Sequence, residues 1–261
     1  MKKGAILACA LALTSTAAQG GAWTLTHGHW QSFSSTTLSS ASLSFDAHGR
    51  ASIATTFNKT LSQNTFEYGL TNAITLLATP AFVSARVSTP TVPHTVANNL
   101  SIEAGVRLAL YAAHGRLSLQ GSYKTAGAFD FSVSANRASG RQIELRLLYG
   151  TSFKLFGRDG FADFQVAQRW IDHPRPNETP FDVTVGLWLT RRTMIMAQSF
   201  NIVSAGDAVA PYSFYRTHKL EFSVVRRMTR HWSLQLGAFY SPAGQNALVE
   251  RGISFSLWTQ V

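Results

Sequence analysis

Apolar and polar residues alternate with a period of two along most of this chain. Every even position from Leu100 to Leu110 is apolar, whereas the intervening positions include Ser101, Glu103 and Arg107. A period of two is typical of a β-strand, because successive side chains point to opposite faces. This stretch therefore predicts an amphipathic strand with one fully apolar face.

The same alternation recurs in a series of segments joined by connections of two lengths. Further strands are predicted near 61–70, 73–87, 115–135, 141–156, 160–171, 181–190, 193–203, 217–227, 231–240 and 247–261. Short connections are predicted at 71–72, 112–115, 157–160, 190–193 and 227–231, and longer ones at 88–99, 172–180, 204–217 and 241–246. Alternating short and long connections are typical of outer-membrane barrels, which have short periplasmic turns and longer external loops.

These segments predict an all-β fold, a transmembrane up-and-down antiparallel β-barrel. With a first strand near 28–37 the count is about twelve, and residues 43–56 then form an extracellular hairpin. If that hairpin joins the wall, the count becomes fourteen. Both numbers are even, so both termini are expected at the periplasmic end.

A soluble sandwich or lipocalin-like barrel would show the same period with its apolar face inward. Composition favours the membrane alternative, because 45% of the residues are hydrophobic and 14% are charged, against about a quarter charged in soluble domains. The predicted aromatic residues near strand ends, among them Tyr111, Tyr149, Trp170, Trp232 and Tyr240, point the same way. The last predicted strand also has one largely apolar face, which is formed by Ile253, Phe255, Leu257, Thr259 and Val261.

The first residues predict export. Lys2 and Lys3 precede a short apolar run and then small residues, the pattern of a secretory signal peptide. We expect a signal peptide over 1–21 and a single barrel domain over 22–261, in the outer membrane of a Gram-negative cell. Removing the leader lowers the formal charge from +10 to +8 and removes Cys9, the one cysteine. A mature chain without cysteine excludes disulfides and cysteine-ligated zinc.

One motif resembles those of known families. The stretch Glu67-Tyr68-Gly69-Leu70-Thr71-Asn72-Ala73-Ile74 is similar to a periplasmic turn of outer-membrane channels of the phenol-degradation (MetA-pathway) type and of XagA-like proteins of biofilm polysaccharide operons. Asn72 replaces the more usual Asp. Phe45-Asp46, Gly49 and the Ala22-Trp23 start add to the XagA-like resemblance. The resemblance implies a barrel of about twelve strands and a role in solute passage or exopolysaccharide export.

Projecting the polar faces inward predicts a charged lumen. The lumen-lining candidates are Glu67, Arg86, Glu103, Arg107, Glu144, Arg146, Asp163, Arg169, Asp182, Lys219 and Glu221, with Asp130 and Arg227 on the same projection. Such facing charges form either a salt-bridge network that fills the interior or a polar conduit that selects solutes. The basic excess favours anionic solutes or contacts with lipopolysaccharide phosphates.

No enzyme, cofactor or metal site is predicted. His231-Trp232-Ser233 places His and Ser on one strand face without an obvious third member, and His27 and His29 lack a nearby carboxylate. Expected partners are outer-membrane lipids, lipopolysaccharide, the barrel assembly machinery and polysaccharide synthesis or export components, with no nucleic acid. Two functions stay open: a channel for small solutes or exopolysaccharide, and a closed structural or adhesion barrel whose loops 88–99 and 204–217 bind surface polymer.

Overall fold

A computed structural model describes residues 21–88, 95–112, 115–125, 141–173, 175–207 and 212–261. The predicted signal peptide, apart from Gly21, and Asp130 lie outside these ranges. In the described chain no helix is long and apolar enough to span a membrane. The strands are β1 (Trp30–Phe45), β2 (Ala51–Thr71), β3 (Ile74–Ser88), β4 (Thr95–Tyr111), β5 (Arg116–Lys124), β6 (Gln142–Leu155), β7 (Arg158–Ile171), β8 (Glu178–Trp188), β9 (Thr193–Ser204), β10 (Arg216–Arg227), β11 (Trp232–Gln245), β12 (Ala247–Leu248) and β13 (Arg251–Gln260).

The strands form one closed antiparallel sheet. Neighbours in sequence pair with each other from β1 to β11, β13 pairs with β11, and β1 pairs with both β2 and β13. β12 is a two-residue addition beside the end of β1. Among the described residues the wall therefore contains twelve strands, which confirms the all-β transmembrane barrel and the lower of the two counts.

The alternative of fourteen strands is wrong. Residues 43–56 do not form a separate hairpin, because they continue β1 and β2, whose pairing runs from Trp30 with Tyr68 to Phe45 with Ala51. The described turns between β2 and β3 and between β10 and β11 lie at one end, where Trp30 and Val261 exchange backbone hydrogen bonds of 3.3 and 3.0 Å. We call this the short-turn end and the opposite one the long-loop end.

The two faces of the wall have the polarity that a membrane barrel requires. Outward-facing Phe222 and Leu236 are 66% and 62% exposed, whereas inward-facing Ser223 and Gln235 on the same strands are 5% and 4% exposed. A soluble sandwich would bury the apolar face instead. An exposed apolar band of this extent needs hydrocarbon as its solvent, so the soluble alternative is excluded.

Exposed tryptophan and tyrosine side chains border this apolar band. They are Trp30, Tyr68, Tyr111, Tyr149 and Trp232 toward the short-turn end, and Tyr123, Trp170 and Tyr240 toward the long-loop end. Trp232 and Tyr240 are eight positions apart on β11, about 27 Å of strand, or about 20 Å of membrane at a 35–45° tilt. The predicted aromatic borders are thus at the spacing of a membrane interface.

One part of the interior is apolar, which corrects a predicted lumen residue. Near the long-loop end Phe57, Leu61, Val83 and Val87 are buried and pack together on the inner face of β2 and β3. Arg86 lies on the other face and is exposed. The lumen assignment of Arg86 is wrong, because at this end of β3 the inward face is the apolar one.

The tip of the β1–β2 hairpin is held by Asp46. Its carboxylate accepts backbone hydrogen bonds from His48 (2.8 Å) and Arg50 (2.9 Å), and one from the Ser52 hydroxyl (3.2 Å). Gly49 has a φ of 78°, which favours glycine at this turn. The hydrogen bond from Arg50 is the main reason that the pKa of Asp46 lies below its ordinary value.

A positive charge at the centre of the apolar band should destabilise the barrel. We expect Leu236→Arg to lower the free energy of unfolding by about 2–4 kcal/mol, because Leu236 lies midway between Trp232 and Tyr240. The measurement is a denaturant titration of the protein in phosphatidylcholine vesicles. Met228→Arg is the control, since Met228 is 54% exposed in the β10–β11 turn. Equal losses from both substitutions would contradict the membrane position assigned here.

Removing the Asp46 carboxylate should loosen the hairpin tip. Asp46→Ala is expected to speed amide hydrogen exchange over residues 46–52, whereas Asp159→Ala, at an exposed site of the opposite end, should not. Because the folded-state pKa is lowered, the carboxylate stabilises the tip at neutral pH. That protection should fade as the pH falls below about 3.9 and through the folded-state pKa. Mass spectrometry with correction for intrinsic exchange rates measures both effects.

Candidate functional site

Residues 21–29, which we call the N-terminal plug, enter the barrel at the short-turn end. The Gly28 amide donates to the Gly69 carbonyl and the Gly69 amide donates to the His29 carbonyl, both at 2.9 Å. A Cβ on Gly69 would overlap the Thr26 carbonyl oxygen. Gly69, the glycine of the Tyr-Gly-Leu-Thr-Asn motif, therefore lets the plug backbone lie directly against the inner face of the wall.

The next residues of that motif hold the plug as well. Asn72 accepts the His27 amide on its side-chain oxygen at 2.9 Å and the Thr24 hydroxyl on its carbonyl at 2.9 Å. Thr75 accepts the Leu25 amide at 2.9 Å. The turn that joins β2 to β3 is thus also the support of the plug.

The tip of the plug lies within the lumen. Ala22 is fully buried, and its carbonyl accepts a 2.5 Å hydrogen bond from Ser118 on β5. The Trp23 ring packs edge-on against Phe161, with ring centroids 6.1 Å apart. A Cβ on Gly150 would lie 2.6 Å from the same ring, so glycine provides the space that the indole fills.

Arg107 connects the plug to the wall. It donates to Glu67 at 2.9 Å, to Gln120 at 3.0 Å and to the Trp23 carbonyl at 3.2 Å. Gln31 donates to the same Glu67 carboxylate at 2.6 Å. Both charges are almost fully buried, so the ion pair compensates two groups that water does not reach.

A second set of charges runs along the inner wall of β6, β7 and β8, and we call it the charge ladder. It contains the charged residues Glu144, Arg146, Asp163, Arg169, Arg175, Glu178 and Asp182, together with the neutral Gln165. Arg146 donates to Glu144 at 2.7 Å and to Asp182 at 2.8 Å, and Arg169 donates to Glu144 at 2.7 Å and to Glu178. Shared carboxylates make the ladder continuous rather than a set of separate pairs.

The ladder reaches from the long-loop end to the plug. At its upper end Glu178 also accepts hydrogen bonds from Arg175 and the Tyr215 hydroxyl. At its lower end Gln165 accepts from Arg146 at 2.8 Å and donates to Asp163 at 2.5 Å. Asp163 in turn accepts the Ala22 amide at 2.8 Å. The plug is therefore bonded to the last member of the ladder.

A third cluster lies across the lumen, near the long-loop end. Glu250 bridges Lys59 on β2 at 2.7 Å and Lys219 on β10 at 2.9 Å. Lys219 also lies 4.5 Å from the Phe239 ring centroid. Glu221 accepts a 2.6 Å hydrogen bond from Ser254. Two ammonium groups thus share the Glu250 carboxylate, and with Glu221 nearby the cluster holds two positive and two negative groups.

Most of the predicted lumen residues face inward. Those that are buried inside are Glu67, Arg107, Glu144, Arg146, Asp163, Arg169, Asp182, Lys219 and Glu221. Glu103 is half-buried on the inner face, opposite Lys124 in the strand register. Arg227 is exposed, with its guanidinium 4.6 Å from the Trp188 ring centroid. The projection therefore located the charges, although it did not indicate which of them pair.

Several members of these clusters were absent from the sequence projection. Lys59 lies between the predicted hairpin 43–56 and the predicted strand near 61–70, Glu178 lies in the predicted loop 172–180, and Glu250 lies in the predicted strand near 247–261. Alternation does identify Lys59, which shares its parity with inward-facing Thr55 and Phe57. Alternation also identifies Glu250, which shares its parity with inward-facing Ser254 and Ser256, although it lies between β12 and β13.

The lumen widens beside the plug into a cavity of about 750 Å³, which we call the vestibule. Its lining is Gly21, Trp23, Ser152, Phe153, Lys154, Asp159, Gly160, Phe161, Asp163, Thr184, Trp188 and Trp258. Trp258 is fixed by a 3.1 Å hydrogen bond to Gln235 and by edge-on packing against Phe33. The vestibule is therefore a largely aromatic space whose rings are held in place by neighbouring side chains.

The alternative chemical sites remain weak. His231 Nδ1 lies 3.0 Å from the Gln260 carbonyl oxygen, while Ser233 belongs to the inner face of β11. His27 and His29 likewise contact the carbonyl oxygens of Leu70 and Val261. Over the described residues there is no group of three or more side chains arranged to hold a metal ion.

Comparison with known proteins supports a fold rather than a family. No family model and no curated protein matches this sequence. The chain is similar to the COG4313 outer membrane channel from Pseudomonas putida F1, with a TM-score of 0.71, 14% identity and coverage of 93% of this chain and 98% of that one. It is also similar to the translocator domain of autotransporter NalP from Neisseria meningitidis, with a TM-score of 0.59, 10% identity and coverage of 91% and 90%.

A third similar structure is the NanC porin, with a TM-score of 0.54, 9% identity and coverage of 88% of this chain and 100% of that one. At these identities the likeness is one of fold. These neighbours are a channel, a translocator domain and a porin. Together with the apolar band and its aromatic borders, they identify the protein as a multi-pass β-barrel of the outer membrane.

Proposed function

We propose that this protein is a passive channel for small solutes across the outer membrane, with the N-terminal plug as its constriction. The observation that carries the proposal is the way the plug is held. It is fixed in the lumen by hydrogen bonds to Asn72, Thr75, Arg107, Ser118 and Asp163, beside a vestibule of about 750 Å³. Because these contacts hold the plug inside the wall, the plug narrows the passage at the level of the vestibule.

Charge selection follows from the lumen surface. Along the charge ladder both signs alternate, and the Lys59–Glu250–Lys219 cluster adds two ammonium groups around one carboxylate on the opposite wall. Fixed charges facing a narrow passage bias which ions enter it. The proposal is therefore a channel in which single charge changes alter ion preference.

A closed structural or adhesion barrel is the second candidate, and a specific observation favours it. Inward-facing Phe57, Leu148 and Phe200 are no more than 2% exposed, so parts of the lumen are tightly filled. Such a barrel would act through its external loops, binding surface polymer. The two candidates differ in whether any state of the protein conducts ions.

The finer assignments rest on the sequence motif. The XagA-like and MetA-pathway resemblance supports a place beside polysaccharide synthesis or export components, and exopolysaccharide is then an alternative cargo. The exposed apolar band supports contact with outer-membrane lipids and lipopolysaccharide. The alternation of outward apolar and inward polar residues in the last strand supports insertion by the barrel assembly machinery. We propose no enzymatic role, because His231 Nδ1 contacts the Gln260 carbonyl oxygen and Ser233 belongs to the inner face of β11.

Removing the Trp23 ring should widen the constriction. In planar bilayers we expect Trp23→Ala to increase single-channel conductance roughly twofold or more, because conduction depends on the cross-section at the narrowest point. Trp232→Ala is the matched control, since Trp232 is 47% exposed on the outer surface. If neither the wild type nor Trp23→Ala shows discrete openings, the closed barrel replaces the channel.

Single charge changes in the ladder should shift ion preference in opposite directions. Arg146→Gln leaves Glu144 and Asp182 less compensated, so the reversal potential in a salt gradient should move toward cation selectivity. Asp182→Asn should move it toward anion selectivity. Arg86→Gln removes the same charge from the exterior and should leave it unchanged. A shift of equal size in Arg86→Gln would contradict the assignment of these faces.

A further inference from the structure

The charge ladder has one more carboxylate than it has guanidinium groups. Glu144, Glu178 and Asp182 each form ion pairs with its arginines. Asp163 is the fourth carboxylate, and among the described side chains none forms an ion pair with it. It is connected to Arg146 indirectly, through the Gln165 amide. The lower end of the ladder is therefore short of one positive charge.

Asp163 is a group for which such a shortage matters. It is 3% exposed, and a buried carboxylate is costly without a compensating cation. The group nearest to it from outside the wall is the backbone of the plug. The Ala22 amide donates to Oδ2 at 2.8 Å, and a Cβ on Gly21 would lie 2.9 Å from the same oxygen.

The sequence predicts a new chain terminus at this point. Ala17, Ala18 and Gly20, with Gln19 between them, end the predicted leader, and Ala18-Gln19-Gly20 suits cleavage by a signal peptidase before Gly21. Cleavage before Gly21 or Ala22 converts a neutral amide beside Asp163 into an α-ammonium group. It would also place that ammonium at the vestibule wall, which Gly21 lines, where water can solvate its remaining hydrogens.

We propose that the mature chain begins at Gly21 or Ala22 and that its α-ammonium group is the counter-ion of Asp163. When Ala22 is the first residue, its hydrogen bond to Asp163 becomes charge-assisted and stronger, and when Gly21 is first, the ammonium group is added beside that bond. Leader removal thereby completes the charge balance of the ladder and locks the plug in the lumen. An uncleaved chain keeps a neutral amide there and lacks this lock. The inference requires leader cleavage but does not require that the barrel conducts.

The first test is the identity of the N-terminal residue. Full-length protein purified from outer membranes is analysed by intact mass and by sequencing of its N-terminal peptide. The expected first residue is Gly21 or Ala22. A chain that starts at Gly20 or earlier, or beyond Ala22, overturns the proposal.

The second test measures the reactivity of the α-amine in the folded protein. Pyridine-2-carboxaldehyde modifies N-terminal amines selectively, and mass spectrometry of the N-terminal peptide gives the labelled fraction over time. Because Asp163 holds the ammonium, Asp163→Asn should label about tenfold faster than wild type. Asp163→Glu, which keeps the charge, should label more slowly than Asp163→Asn.

A matched control and a folding check complete this test. Asp159→Asn removes a carboxylate that lines the same vestibule but is 77% exposed, and its labelling rate should equal that of wild type. Heat-modifiable gel mobility confirms that each variant is folded. Equal labelling of folded wild type and Asp163→Asn overturns the ion pair. Conductance is recorded separately, so loss of this inference leaves the proposed channel standing, and loss of conduction leaves the ion pair standing.

Discussion

The whole structure depends on one constraint: a backbone in hydrocarbon must satisfy every hydrogen bond within the protein. A sheet achieves this only when its first and last strands pair, since an open edge exposes unpaired amide and carbonyl groups. Here β1 supplies that closure by pairing with β2 on one side and with β13 on the other. The exchange of hydrogen bonds between Trp30 and Val261 brings the two ends of the wall together, and this places the plug at the short-turn end.

Closure creates an interior that is small and lined by alternate residues of every strand. Outside the barrel, lipid solvates the apolar side chains, so these side chains need no partner within the protein. Inside, the polar side chains meet each other rather than bulk water, so buried charges need partners. The ion pairs of Arg107, Arg146 and Arg169 are the consequence, and each connects strands that are adjacent or nearly so around the wall. The same interior is thus both a packed core and the lumen of the barrel.

The plug connects the sequence motif with the lumen. Gly69 lets the plug backbone approach the wall, Asn72 and Thr75 bind it, and Gly150 makes room for Trp23. These residues belong to different hairpins, yet all of them serve one nine-residue segment. The plug and the vestibule therefore determine the cross-section of the lumen at this end, whereas the charge ladder and the Lys59–Glu250–Lys219 cluster determine the charges that line it further on.

Sequence alone determined the fold class, limited the strand number to twelve or fourteen, and placed most charged residues on the inner face. The physical reason is local: in a membrane barrel each strand meets lipid on one face and the lumen on the other, so alternation is readable within ten residues. Arg86 was misplaced because the inner face of β3 is apolar where it packs against Phe57 and Leu61. Only the tertiary structure decided which charges pair, that Glu250 joins two lysines, and that Ala22 reaches Asp163 across 141 residues of chain. Those contacts depend on barrel closure and strand register, which are properties of the whole sheet and leave no mark on any single segment.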